Sequence, residues 1–129
     1  MRSAPYLWLF ILLISFSAFS QQEEDKYPKL KQYYFVMLTA GPKAEKIDSL
    51  QLEKIQAGNM ANIRKMAEAG KLMIAGPFGD DGNWRGIFII DAKSEEEVNE
   101  LLKNDPAIQV GRLAYEIHPW WSEKGSCLK

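Results

Sequence analysis

Six residues in succession, Tyr33, Tyr34, Phe35, Val36, Met37 and Leu38, are aromatic or aliphatic, and the run ends at Gly41-Pro42. Aromatic and β-branched side chains suit a pleated, buried surface, so the run predicts a strand. Side chains alternate between the two faces of a strand, which makes both faces of this one apolar. An antiparallel sheet commonly leaves one face in water. This strand does not allow that, because whatever sheet it joins must be covered on both sides.

The rest of the chain supplies partners for it. Asp48 and Ser49 offer capping oxygens before Leu52, Ile55, Ile63 and Met66, which recur at helical spacing until Gly70 closes the segment. Two apolar runs, Leu72 to Pro77 and Gly86 to Asp91, flank a turn containing Asp81-Gly82 and read as a hairpin. Ser94 followed by Glu97 is a capping box in which the glutamate reaches back to the cap's own amide. It opens a second helix through Val98, Leu101 and Leu102 that Asp105-Pro106 stops. A last strand runs from Arg112 to His118, with Leu113, Tyr115 and Ile117 alternating with Ala114, Glu116 and His118, until Pro119, Trp120 and Trp121 end it.

The order is β-α-β-β-α-β, a ferredoxin-like α+β arrangement with a four-stranded antiparallel sheet and two helices on one face. The third strand is also continuously apolar from Ile87 to Ile90, so the face away from the helices needs a cover. A sheet-to-sheet homodimer would provide it, burying about 1,500 Å² in total. The rival arrangement is a monomer that uses its C-terminal tail as a lid.

At the N-terminus, Met1-Arg2 precedes an apolar run from Leu7 to Phe19, the pattern of a secretory signal. Ala18 and Ser20 place small residues at −3 and −1 of a cut before Gln21. An uncleaved anchor is the alternative, but the run is only about 13 residues where a spanning helix needs roughly 20. Four segments are therefore expected: a signal peptide at 1–20, a polar leader at 21–31, a domain at 32–121 and a flexible tail at 122–129. The product is exported, periplasmic or extracellular, with no stable membrane insertion after cleavage. Loss of residues 1–20 removes only Arg2 from the charge count, leaving 15 basic against 17 acidic residues, a formal −2. That balance gives nucleic acid or acidic lipid nothing to bind. Cys127 lies in the tail with no second cysteine, so an unpaired thiol is expected there, with pairing between two chains as the alternative.

Several phrases taken together resemble the YCII-related domain family: Tyr33-Tyr34-Phe35-Val36, Gly70-Lys71-Leu72, Ala75-Gly76-Pro77-Phe78, Asp81-Gly82 with Arg85-Gly86, Asp105-Pro106-Ala107, and Glu116 to Trp121. The resemblance spans residues 32–121 and implies a dimeric α+β barrel. It also implies a site that pairs a histidine in the first helix with the aspartate of the Asp-Pro turn, beside the hairpin's Gly-Pro. Asp105 matches the aspartate and Gly76-Pro77 the turn, whereas Asn59 occupies the histidine's place. Asparagine donates and accepts hydrogen bonds but moves no proton near neutral pH. Asn59 sits four residues after Ile55 and four before Ile63, on the stripe expected to face the sheet.

Two functions follow as expectations. One is a homodimeric small-molecule-binding domain with a degenerate His-Asp site, its pocket formed by Asn59, Gly76, Pro77 and Asp105. The alternative is a lyase- or isomerase-like enzyme of small molecules that uses Asp105 as a catalytic group, with His118, the only histidine, serving as base. No cofactor is expected, and one histidine with scattered carboxylates and no cysteine pair argues against a metal. Trp84, Trp120 and Trp121 form either a stacking platform for a ligand or packing at the barrel mouth and dimer seam.

Overall fold

The computed structural model describes residues 28–129. The signal peptide and residues 21–27 of the leader lie outside them. Among the described residues no helix is long and apolar enough to cross a membrane.

The elements follow the order β1 (Leu30–Ala40), α1 (Ser49–Glu68), β2 (Leu72–Pro77), β3 (Trp84–Ile90), α2 (Glu95–Leu102), α3 (Pro106–Gln109) and β4 (Leu113–Glu123). The strands form one antiparallel sheet in the order β2-β3-β1-β4, the ferredoxin-like topology. Asp48 caps α1 by accepting from the Gln51 amide at 2.9 Å. At the other end of α1, Gly70 adopts φ +70° and the chain reverses into β2.

Ser94 caps α2 as expected, accepting from the Glu97 amide. The Glu97 carboxylate goes elsewhere than the cap's own amide. One oxygen accepts from the Lys93 amide at 2.7 Å and the other from Lys71 Nζ at 2.6 Å, tying the helix start to the beginning of β2.

One face of the sheet carries the core. Tyr34, Val36 and Leu38 of β1 and Phe88 and Ile90 of β3 pack with Met66 of α1 and Val98 and Leu102 of α2. The opposite face presents Phe35, Met37 and Ile87 half-buried, together with the buried Tyr33 and Ile89. At the margin of this face Lys31 Nζ donates to Asp91. The tail from Lys124 to Leu128 shares a groove of about 450 Å³ with Tyr33, Ile89 and Trp120, so it borders part of the face.

Three differences from what the sequence predicts have physical causes. Residues 30 and 31, assigned to the leader, belong to β1, where they pair with Glu123 and Ser122 of β4. For the same reason the tail begins after Glu123 rather than at residue 122. Pro119 does not end the last strand, because β4 lies at the sheet edge and an edge strand tolerates a residue without an N–H. The Asp105-Pro106 step stops α2 and also starts the short α3, which makes three helices rather than two.

Candidate functional site

Asp105 is the N-cap of α3, and Pro106 occupies the first turn, where its missing N–H costs nothing. Its Oδ1 accepts from the Ala107 amide at 2.9 Å. Its Oδ2 accepts from Asn59 Nδ2 at 2.8 Å and from Asn62 Nδ2 at 3.3 Å. The residue is fully buried. A buried carboxylate is tolerable only when its oxygens are well supplied with donors, and here both are engaged. Among the described residues no buried side-chain polar atom lacks a partner.

Helix α1 reaches Asp105 because Gly58 lets it approach α3 closely. A Cβ at position 58 would stand 2.6 Å from Pro106 Cγ, well inside contact distance. Asn59 and Asn62 are three residues apart and share one side of the helix, so both amides meet the same carboxylate.

In front of this cluster lies a cleft of about 500 Å³ between α1 and the β2–β3 end of the sheet. Asn59, Gly76 and Pro77 line it, with Ile63, Leu38 and Phe88 as its apolar floor. Asp105 is not on its wall and stands behind Asn59. The rim carries Arg85, Arg112, Gln56 and Asp80. No ion pair joins Asp80 to either arginine, and neither arginine has an ion-pair partner among the described residues.

Both arginines sit at backbone irregularities. Leu38 pairs with Gly86 and Thr39 with Trp84, so Arg85 is the additional residue of a bulge between them. Bulges redirect a side chain relative to the regular alternation. Arg112 follows Gly111, whose φ of +77° suits glycine. The Gly41 amide donates to Arg112 O and the Lys43 amide to Gly111 O, each at 2.8 Å, which fixes this loop to the end of β1.

His118 does not reach the cleft. On β4 it pairs with Phe35 of β1, while its neighbour Ile117 pairs with Val36 and faces the core. Strand alternation therefore puts His118 on the opposite face, where its side chain is 61% exposed and Nε2 lies 3.5 Å from Glu116 Oε2. Within one protomer, Asp105 and His118 cannot act on the same molecule in this cleft. The tryptophans do not converge either. Trp84 packs on Phe78 at the hairpin tip, with ring centroids 5.9 Å apart, and Trp120 packs on Tyr33 across the second face. Among the described residues no group of three His, Cys, Asp or Glu side chains could hold a metal ion.

The sequence reading singled out Asn59, Gly76, Pro77 and Asp105 but not Gly58, Asn62, Arg85 or Arg112. Asn62 had a signal, its i, i+3 spacing from Asn59. Arg85 stands in the Arg85-Gly86 phrase of the family resemblance, but nothing in the sequence points either arginine at the cleft, because a bulge and a glycine-locked loop depend on cross-strand register.

Comparison with known proteins bears on the same region. No curated protein sequence matches the chain. A solved structure similar to it is that of 5-chloro-2-hydroxyhydroquinone dehydrochlorinase from Burkholderia phenoliruptrix AC1100, in complex with 2,5-dihydroxybenzoquinone. The two share 25% identity with a TM-score of 0.50, over 68% of this chain and 92% of the dehydrochlorinase. The family model of the YCII-related domain matches residues 32–121, from the second residue after the start of β1's paired region to the two tryptophans of β4, and the chain belongs to that family.

Proposed function

We propose that the protein is an exported, homodimeric small-molecule-binding domain in which the Asn59–Asp105 pair is a structural support for the cleft and not a proton-transfer couple. The observation that carries this reading is the complete use of the Asp105 carboxylate. Its oxygens accept from one backbone amide and two asparagine amides, and it is sealed from the cleft. Neither asparagine can take up or release a proton at working pH, so the pair has no general acid-base step to offer. The cleft is of the size and apolar character that small organic ligands occupy.

Export rests on the pattern of residues 1–20, and the dimer rests on the apolar second face. The mature chain from Gln21 titrated calorimetrically against small carboxylates, phenols, lactones and sugars tests the reading. Binding to wild type that Asn59→Ala weakens supports it; no binding by any class removes it. N-terminal sequencing of the exported product should begin at Gln21, and its mass in solution should be that of two chains.

One observation favours a second reading. The dehydrochlorinase that resembles this chain is an enzyme whose structure holds a dihydroxyquinone. On that reading the chain is a lyase- or isomerase-like enzyme, and Asp105→Asn abolishes turnover while the dimer stays folded. Full activity in that variant takes Asp105 out of the mechanism. In a sheet-to-sheet dimer His118 belongs to the seam, which leaves Asp105 without a histidine base in this reading too.

A further inference from the structure

We propose, building on the reading of the cleft as a ligand site, that its ligand is a small hydroxy acid, with the anionic group held by Arg85 and Arg112 and the hydroxyl donated to the Asn59 side-chain carbonyl.

The hydroxyl assignment comes from what stands behind Asn59. A carboxylate only accepts hydrogen bonds, so Asp105 fixes the orientation of the Asn59 amide, whose Nδ2 donates inward at 2.8 Å. A planar amide with its nitrogen turned to Asp105 has its Oδ1 directed to the other side, and Asn59 lines the cleft. The group it shows a ligand is therefore an acceptor. It satisfies a donor such as a hydroxyl and disfavours a carbonyl or ether oxygen at the same place. Asp105 acts here as a positioning residue.

The anion assignment comes from the rim. Arg85 and Arg112 carry two positive charges against the single carboxylate of Asp80, in a chain whose formal charge is −1. Guanidinium groups match carboxylates with two parallel hydrogen bonds, and they do so best when the backbone beneath them is fixed. That condition is met by the bulge at Arg85 and by the Gly111–Arg112 loop with its two 2.8 Å bonds to the end of β1. Gly86 adds to it, since a Cβ there would stand 2.7 Å from Gly76 O and the two strands close tightly beside Arg85. Ile63, Leu38 and Phe88 supply an apolar floor for the body of the molecule between the two polar ends.

Three probes separate the parts when titrated into the mature chain from Gln21: 3-hydroxybenzoate, benzoate without the hydroxyl, and the uncharged 3-hydroxybenzamide. The expected result is that 3-hydroxybenzoate binds at least about tenfold tighter than either partial analogue, and that added salt weakens the acids more than the amide. Arg85→Gln, at an exposed position, and Arg112→Gln, at a half-buried one, should each cost the acids about tenfold and leave the amide unchanged, with the melting temperature checked for both. If the amide binds as tightly as the acid, or the arginine variants bind all three probes like wild type, the anion assignment is overturned while the ligand cleft stands. Equal binding of benzoate and 3-hydroxybenzoate overturns the hydroxyl assignment in the same way. Failure of all three probes to bind overturns the proposal, and the cleft reading falls with it only if the wider titration of carboxylates, phenols, lactones and sugars is also negative.

Discussion

The two faces of the sheet are built from the same strands and nearly the same kinds of residue, yet they have different fates. Toward the helices, Val36 and Ile90 are fully buried among side chains of α1 and α2. On the other face of the same strands, Phe35, Met37 and Ile87 are half-buried beside the buried Tyr33 and Ile89, and the tail borders only part of that face. Apolar pattern tells which residues avoid water, but only topology tells what covers them. The half-buried apolar residues of the second face are the strongest reason to expect a second copy of the chain.

The comparison can be broken most directly with two isoleucines of β3. Ile90→Ala opens a cavity in the core and should cost about 2–5 kcal/mol in urea unfolding, whereas Ile87→Ala, measured at dilution, should cost clearly less. Equal costs would mean the second face is packed as tightly as the first. Next in size is Met37→Lys, which sets an unpaired charge in the expected seam. It should weaken self-association by about a hundredfold in sedimentation while the monomer stays folded. A variant that remains dimeric places the seam elsewhere.

On the helix side, Gly58→Ala gains about 1 kcal/mol of helix propensity but drives a methyl into the Pro106 ring, at a cost of about 1–3 kcal/mol. A net loss near 1 kcal/mol is expected, with altered amide signals for Asn59 and Asn62 as the helices part. The smallest effect is at Glu97. The Lys71 ammonium, followed by the Lys93 amide, holds its carboxyl below the usual 4.5. A lowered folded-state value means that the stability it adds is present above the ordinary carboxylate range and is lost as pH falls through the lower value. Wild type should therefore lose melting temperature more steeply than Glu97→Gln between about pH 5 and 3.

Much of this architecture could be read from residues close together in the chain. Strand β1 announced itself by composition, and Asp48 and Ser94 announced helix starts by their capping oxygens. Asn59 was placed on the sheet-facing stripe by periodicity alone. Most of what escaped was set by partners distant in sequence. Pro119 looked like a stop because its neighbours do not reveal that β4 is an edge. Asp105-Pro106 reads equally as the stop of one helix and, with an Asp cap and Pro in the first turn, as the start of the next, and the expected two-helix fold uses only the first meaning. Arg85 enters the cleft only through a mismatch of register with β1, and His118 leaves it only through alternation across the sheet.

Strand β4 has a consequence beyond the fold. It runs for 11 residues along an edge that no other strand pairs among the described residues, and a long edge of that kind is a template on which other chains can add strands and grow into aggregates. The ladder with β1 passes through Pro119 without a shift in register, so the donor that proline lacks is one the ladder does not use. It is missing instead from the outer side, where an incoming strand would need it. The proline that seemed to terminate the strand thus guards it, and replacing it with valine should leave the native sheet intact while making the protein easier to aggregate on prolonged incubation.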